Sequence, residues 1–318
     1  MKSIRDLLFI IIFVSLVISI PILAASKAVP TTDEITFKSV MVDGDTQEYI
    51  LYAPTNPRGA VLVLPSLHEN HFMIFTEEEI LNDQLEKNSI IKAAKKFGLA
   101  LVLAEGVPED WYSPNNGEKK VLACLEAANA TLKIASHYWF VYGFSMGGTG
   151  AITISLRHPN LFAGIYNGDG MAWYNPAATV DTWDNSSDFY NLDPLLNLEF
   201  FGTKTLFLAS GTNYGQYGTN VLAMDNFSQG LTSLRIKHYY YRGKEPHSTL
   251  LLYNSVNLTF NMFAHHITGT LDKFYDDPSM YNTVAPEQPT GTSGTTPAWP
   301  LYVLLAGILV LTARKRAT

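Results

Sequence analysis

One short segment limits the folds open to this chain more than any other. It is Gly143-Phe144-Ser145-Met146-Gly147-Gly148, set between an apolar run that reads as a strand (Tyr138 to Tyr142) and a small-residue run that reads as a helix (Gly147 to Arg157). Gly-x-Ser-x-Gly at a strand-to-helix junction marks a sharp, strained turn that presents a serine hydroxyl. The flanking positions are glycine because side chains there would collide with neighbouring backbone. A turn of this kind needs a strand held on both sides and a helix packed over it, so the rest of the chain is expected to supply a sheet with helices.

The flanking sequence does so. Ile35 to Val42 and Glu48 to Ala53, separated by Asp43-Gly44-Asp45, read as an antiparallel hairpin. Ala60 to Leu64 and Leu99 to Ala104 are continuous apolar runs, the pattern of strands covered on both faces. Helical patterns occupy Ser89 to Phe97, stopped by Gly98, and Glu118 to Leu132. Strands follow at Phe162 to Tyr166, Thr205 to Ala209 and Ile236 to Tyr241. Alternating strands and helices predict the α/β class: a mostly parallel central sheet with helices on both faces.

Both ends of the 318 residues read as address segments, leaving one domain over 26–284. Lys2 and Arg5, the apolar run Leu7 to Leu23 and the small residues after it read as a signal peptide over 1–25. Residues 285–298 are rich in Pro, Thr, Gly and Ser and read as a stalk. Residues 299–313 read as a membrane anchor or sorting segment, because an apolar run of about 14 residues rises about 21 Å as a helix, less than a bilayer core. Arg314, Lys315 and Arg316 place the tail, 314–318, on the cytoplasmic side and the domain outside. Sequons at Asn129, Asn185, Asn226 and Asn257 fit an extracellular glycoprotein. The formal net charge of -7 supplies no basic field, so a nucleic-acid partner is not expected. Cys124 stands alone in a helical run and reads as a small buried apolar residue, which excludes a disulfide framework.

Gly143 to Gly150, continuing through Ala151, Leu156, Arg157, His158, Pro159 and Phe162, resembles the esterase family of the α/β-hydrolase superfamily that includes esterase D, feruloyl esterases and mycolyltransferases. The likeness extends more thinly from about Thr36 to His266. It implies the α/β-hydrolase fold and acyl-ester chemistry through Ser145, with no metal or other cofactor. The substrate is left open between small-molecule, glycan and lipid esters, and acyl transfer remains an alternative use of the same serine. A non-catalytic surface binding protein on the same scaffold is the reading from another class.

A serine hydroxyl needs an adjacent base, and the resemblance places it at His247, in Gly243-Lys244-Glu245-Pro246-His247-Ser248. His238 is the rival. His158 reads as a helix-end residue, and His265 and His266 as helix-surface residues without metal-ligand spacing. The resemblance puts the orienting acid after Thr205 to Ala209, where this chain has Ser210-Gly211-Thr212-Asn213-Tyr214 and no carboxylate. Asp169, in Asn167-Gly168-Asp169-Gly170, is the first choice for the acid, with Asn213 and Asp225 as alternatives. The oxyanion donors are expected from the Met146 N–H and from Ser66 to Glu69, centred on Leu67. Trp111 and Tyr112 are expected to border the substrate pocket, and the aromatic stretch from Trp173 to Tyr190 to cap it.

Overall fold

The computed structural model describes residues 34–66, 89–107, 110, 112–170, 194–213, 218–247 and 249–276. The segments read as signal, stalk, anchor and tail, together with Leu67, Trp111 and the aromatic stretch read as a cap, all lie outside those residues. The chain divides after Thr283, and the second unit, Val284–Thr318, also lies outside them.

The chain opens with an antiparallel hairpin of β1 (Glu34–Val42) and β2 (Asp45–Ala53). Asp43 and Gly44 both have positive φ (54° and 93°), the geometry of a two-residue turn whose twist matches that of the strands. The second strand begins at Asp45, inside the run read as turn. Next come β3 (Gly59–Leu64), α1 (Ser89–Phe97), β4 (Leu99–Ala104), α2 (Gly117–Leu132), β5 (Trp139–Phe144) and α3 (Met146–Arg157). The chain continues through β6 (Gly164–Gly168), the short α4 (Leu198–Phe201), β7 (Thr205–Asn213), α5 (Gly218–Ser233), β8 (Tyr239–Pro246), α6 (Thr249–Ile267) and α7 (Leu271–Asp276).

The eight strands form one sheet in the order β1-β2-β4-β3-β5-β6-β7-β8, antiparallel at β1 and β2 and parallel from β4 to β8. From β3 the chain steps to one side, to β4, then crosses to the other side for β5. The carboxyl ends of β3 and β5 therefore flank a topological switch point, where open α/β sheets leave a crevice for a ligand.

Strand alternation divides the core in two. Leu62, Val102, Val141, Ile165 and Leu208 face α2, α3 and α5, where Val121, Leu125, Ile152, Ile154, Met224 and Phe227 meet them. Val61, Leu101, Phe140, Tyr166 and Phe207 face α1 and α6, packing on Ile90, Ala94, Val256, Phe260 and Phe263. Both faces of β3, β4 and β5 are fully buried, as their continuous apolar runs predict. Each fully buried large apolar side chain contributes about 1.5–3 kcal/mol relative to exposure. Cys124 lies in the α2-side core without solvent exposure, and burial, aided by the charge of Glu105, pushes its thiol up to about 12. Among the described residues no helix is long and apolar enough to cross a membrane.

Candidate active site

The turn after β5 places Ser145. Its φ and ψ are 52° and -119°, outside the ordinary regions for an L-residue, so surrounding contacts must hold it there. They do so from two sides: the Ser145 N–H donates to the Gly168 carbonyl at the end of β6 (2.7 Å), and its carbonyl accepts from the Thr149 N–H (3.0 Å). The glycines of the motif permit the approach. A Cβ at Gly143 would lie 2.1 Å from the Gly147 oxygen, and one at Gly147 would lie 2.3 Å from the Leu64 oxygen. The first turn of α3 thus rests on the end of β3, beside the switch point.

His247 directly follows β8. That strand runs to Pro246, well beyond the Tyr241 limit read from sequence, and so carries the histidine to the carboxyl edge of the sheet. His247 Nε2 lies 2.9 Å from Ser145 Oγ, and Nδ1 lies 3.2 Å from Asp169 Oδ2. With Nδ1–H donating to the carboxylate, Nε2 is the lone-pair nitrogen that accepts the serine proton. The Phe144 ring stands 4.7 Å from the imidazole, centroid to centroid, and restricts its rotation.

Asp169 follows β6 in a left-handed conformation (φ 49°) and is 1% exposed. Its N–H donates to the Ala209 carbonyl, and its Oδ1 accepts from the Ser210 hydroxyl (2.7 Å) and the Gly211 N–H (3.3 Å). A buried carboxylate needs such donors, and these leave Oδ2 toward His247. Of the three candidates for the orienting group read from sequence, the structure joins Asp169 to the histidine. Asp225, on α5, is instead paired with Arg242 (3.2 Å) and accepts from the Tyr240 hydroxyl (2.7 Å). Asn213 ends β7 opposite Pro246.

His238, His158, His265 and His266 are occupied elsewhere. His238 precedes β8 rather than lying within a strand; its Nε2 meets Ser228 Oγ (2.8 Å) and its Nδ1 the Ile236 carbonyl (2.9 Å). Burial lowers its pKa. His158 Nε2 lies 2.8 Å from Glu118 Oε1, and Arg157 also pairs with Glu118, tying the end of α3 to α2. His266 Nδ1 meets Thr205 Oγ1 at 2.7 Å and His265 Nδ1 meets Thr270 Oγ1 at 2.8 Å, so neither is a plain surface residue.

Met146 is the first residue of α3, so its N–H is one of the helix-terminal donors with no intrahelical acceptor, next to the serine. The second expected donor, Leu67, lies outside the described residues, though the turn leading to it is well fixed. Tyr112 is part of what fixes it. It is 1% exposed with φ 60°, its hydroxyl donates to the Pro65 carbonyl (2.6 Å), and its carbonyl accepts from Arg157 (2.8 Å). Tyr112 lies beneath the turn after β3 and holds it. The signal for this was weak, since an aromatic pair near a strand end reads equally as pocket wall or as packing. Asp110 braces the same loop, accepting from the Ser113 hydroxyl (2.8 Å) and the Gly117 N–H (2.6 Å).

Changing Tyr112 to Phe leaves the buried Pro65 carbonyl without this donor, and is expected to destabilise the protein by about 1–3 kcal/mol. Urea unfolding should show a lower midpoint at an unchanged m-value; an unaltered midpoint would mean that the hydroxyl does not hold the turn.

The strand order, the elbow serine on β5 and the histidine after β8 define an α/β-hydrolase fold. The solved structures agree. The fluorophosphonate-binding serine hydrolase FphF of Staphylococcus aureus superposes with a TM-score of 0.58 at 14% identity, over 73% of this chain and 99% of its own. A ferulic acid esterase gives 0.59 at 11% identity over 74% and 99%. The S-formylglutathione hydrolase FrmB of S. aureus gives 0.54 at 15% identity over 74% and 99%. Among curated proteins the chain is similar to NocK of Nocardia uniformis subsp. tsuyamanensis, named as an esterase, with 27% identity over 162 residues. That match spans 46% of this chain and 44% of NocK, less than half the relative's length. No protein-family model matches.

Proposed function

We propose that the chain is an extracellular serine esterase that cleaves carboxylic esters through an acyl-enzyme on Ser145. The observation that carries this reading is the hydrogen-bonded line from Ser145 Oγ through His247 to Asp169, at 2.9 and 3.2 Å. The likeness to NocK and to esterase structures supports the same chemistry.

In the proposed cycle Ser145 Oγ bonds to the ester carbonyl carbon while His247 Nε2 takes the hydroxyl proton. Asp169 steadies the imidazolium that forms. The Met146 N–H and a donor from the turn after Pro65-Ser66 bind the oxyanion. The alkoxide leaves with the proton from His247. Water, deprotonated by the same nitrogen, then bonds to the acyl carbon; the acyl–Oγ bond breaks as His247 Nε2 returns the proton to Ser145 Oγ, releasing the acid. The reading as a non-catalytic binding scaffold drew on the missing acid and on the altered turn after β3; the carboxylate of Asp169 beside His247 supports the catalytic reading on the first of these. The substrate is a small-molecule, glycan or lipid ester. The basic and apolar terminal segments support export and membrane tethering with the catalytic domain outside.

The test is covalent labelling of the purified full chain by a fluorophosphonate probe, with Ser145→Ala as the control. Labelling of the wild type alone, with the adduct mapped to Ser145, is expected. No labelling of folded wild type would remove the enzyme reading and return the binding scaffold.

A further inference from the structure

A carboxylate that orients an imidazole has two oxygens, and only one of them faces the ring. In Asp169 the other oxygen, Oδ1, receives the Ser210 hydroxyl at 2.7 Å, the shortest of the three side-chain contacts described for this carboxylate; the Gly211 N–H, at 3.3 Å, is much longer. Ser210 is fully buried, so its proton has no solvent alternative. Its backbone is fixed in the ladder between β7 and β8 opposite Arg242, and the preceding residue, Ala209, accepts the Asp169 N–H at 2.8 Å. One end of β7 therefore holds both the main chain and the side chain of an acid that belongs to β6.

The surroundings keep that proton on Asp169. The other acceptor within reach is the hydroxyl oxygen of Tyr240, which contacts Ser210 and donates its own proton to Asp225 at 2.7 Å. A neutral phenol oxygen is a weaker acceptor than the Asp169 carboxylate, which meets the Ser210 hydroxyl at 2.7 Å.

We infer that Ser210 is a positioning residue of this site: its hydroxyl fixes the rotation of the Asp169 carboxylate and draws negative charge onto Oδ1, moderating the pull of Oδ2 on His247. The inference rests on the esterase reading. A base in this role must be neutral before attack and a stabilised imidazolium during it. Without the Ser210 hydroxyl the carboxylate is free to rotate and presents more of its charge toward the imidazole.

The experiment uses the full chain and p-nitrophenyl butyrate. Ser210→Ala is expected to lower kcat about tenfold at unchanged KM, the loss of one hydrogen bond to a charged acceptor. It should also displace the acid limb of kcat/KM to higher pH. Ser210→Thr, which keeps the hydroxyl, should restore both the rate and the limb. In an Asp169→Asn background, Ser210→Ala should cause no further loss, because its effect runs through the carboxylate.

Wild-type kcat and an unmoved limb in Ser210→Ala would overturn the inference. So would a rate loss repeated in the Asp169→Asn background, which would mark a packing effect. Thermal melting identifies a misfolded variant, in which case Ser210→Cys, with its weak thiol donor, is read against the same limb. The two failures separate cleanly. Wild type that labels at Ser145 and hydrolyses ester, beside a silent Ser210→Ala, overturns only the role of Ser210. Wild type that does neither overturns the esterase reading and this inference with it.

Discussion

His247→Ala is expected to reduce ester turnover by about a million-fold in kcat, the scale on which a serine site fails when its nucleophile and base act as one unit. The geometry supplies the reason. Ser145 Oγ has its described side-chain hydrogen bond with His247 Nε2, and a hydroxyl near its ordinary pKa is a poor nucleophile without a base. The residual rate should match that of Ser145→Ala and of the double variant, since removing either partner disables the pair. Steady-state hydrolysis of p-nitrophenyl butyrate measures it, with circular dichroism to show that each variant is folded. A His247→Ala variant within tenfold of wild type would mean that another group takes the proton, and the assignment of the base would fall.

Asp169→Asn should cost about ten-thousand-fold in kcat while leaving the fold intact. An amide has one acceptor and one donor end, and the site decides which way it turns. Ser210 Oγ–H and the Gly211 N–H both donate into the Oδ1 position, so the amide oxygen turns toward them and the NH2 toward His247. The imidazole would then accept at Nδ1 and carry its proton on Nε2, where it can no longer take the serine proton. Asp225→Asn serves as the comparison and should retain kcat within a few-fold, because Asp225 is engaged by Tyr240 and Arg242. A large loss in Asp225→Asn with a small one in Asp169→Asn would reverse the assignment.

The parts of the site legible in the sequence were those set by local chain geometry. Gly143 and Gly147 announce the strained turn around Ser145 because a Cβ at either would collide with the backbone of Gly147 or of Leu64. The continuous apolar runs of β3 and β4 announce central strands for an equally local reason, burial on both faces. The Asp43-Gly44 hairpin follows from two positive φ angles.

Elements whose identity depends on partners far along the chain were harder to read. β5 runs two residues past its sequence limit because Gly143 and Phe144 pair with Asn167 and Gly168, and no feature of Gly143-Phe144 encodes that pairing. β8 pairs on one side only, with β7, and its Arg242, Lys244 and Glu245 break the apolar pattern that would have marked it. α6 packs against α1 and several strands, so its apolar residues spread around the helix instead of forming one stripe, and no amphipathic signal marks Thr249–Ile267. The acid is the clearest case. Asp169 looks like a turn residue in Gly-Asp-Gly, and only the three-dimensional approach of β7 and His247 gives its two oxygens separate partners.

The buried thiol of Cys124 has a practical consequence. It is the chain's one cysteine, fully enclosed between α2 and the sheet and held protonated through the neutral range. Thiolate-directed reagents should therefore pass it by. A cysteine introduced on the solvent face of α2 or α5 becomes the sole accessible attachment point for a fluorophore or spin label, without first removing a native residue from the core. A pair of such cysteines, one on each helix, would then report a distance in the folded protein with its packing unmodified.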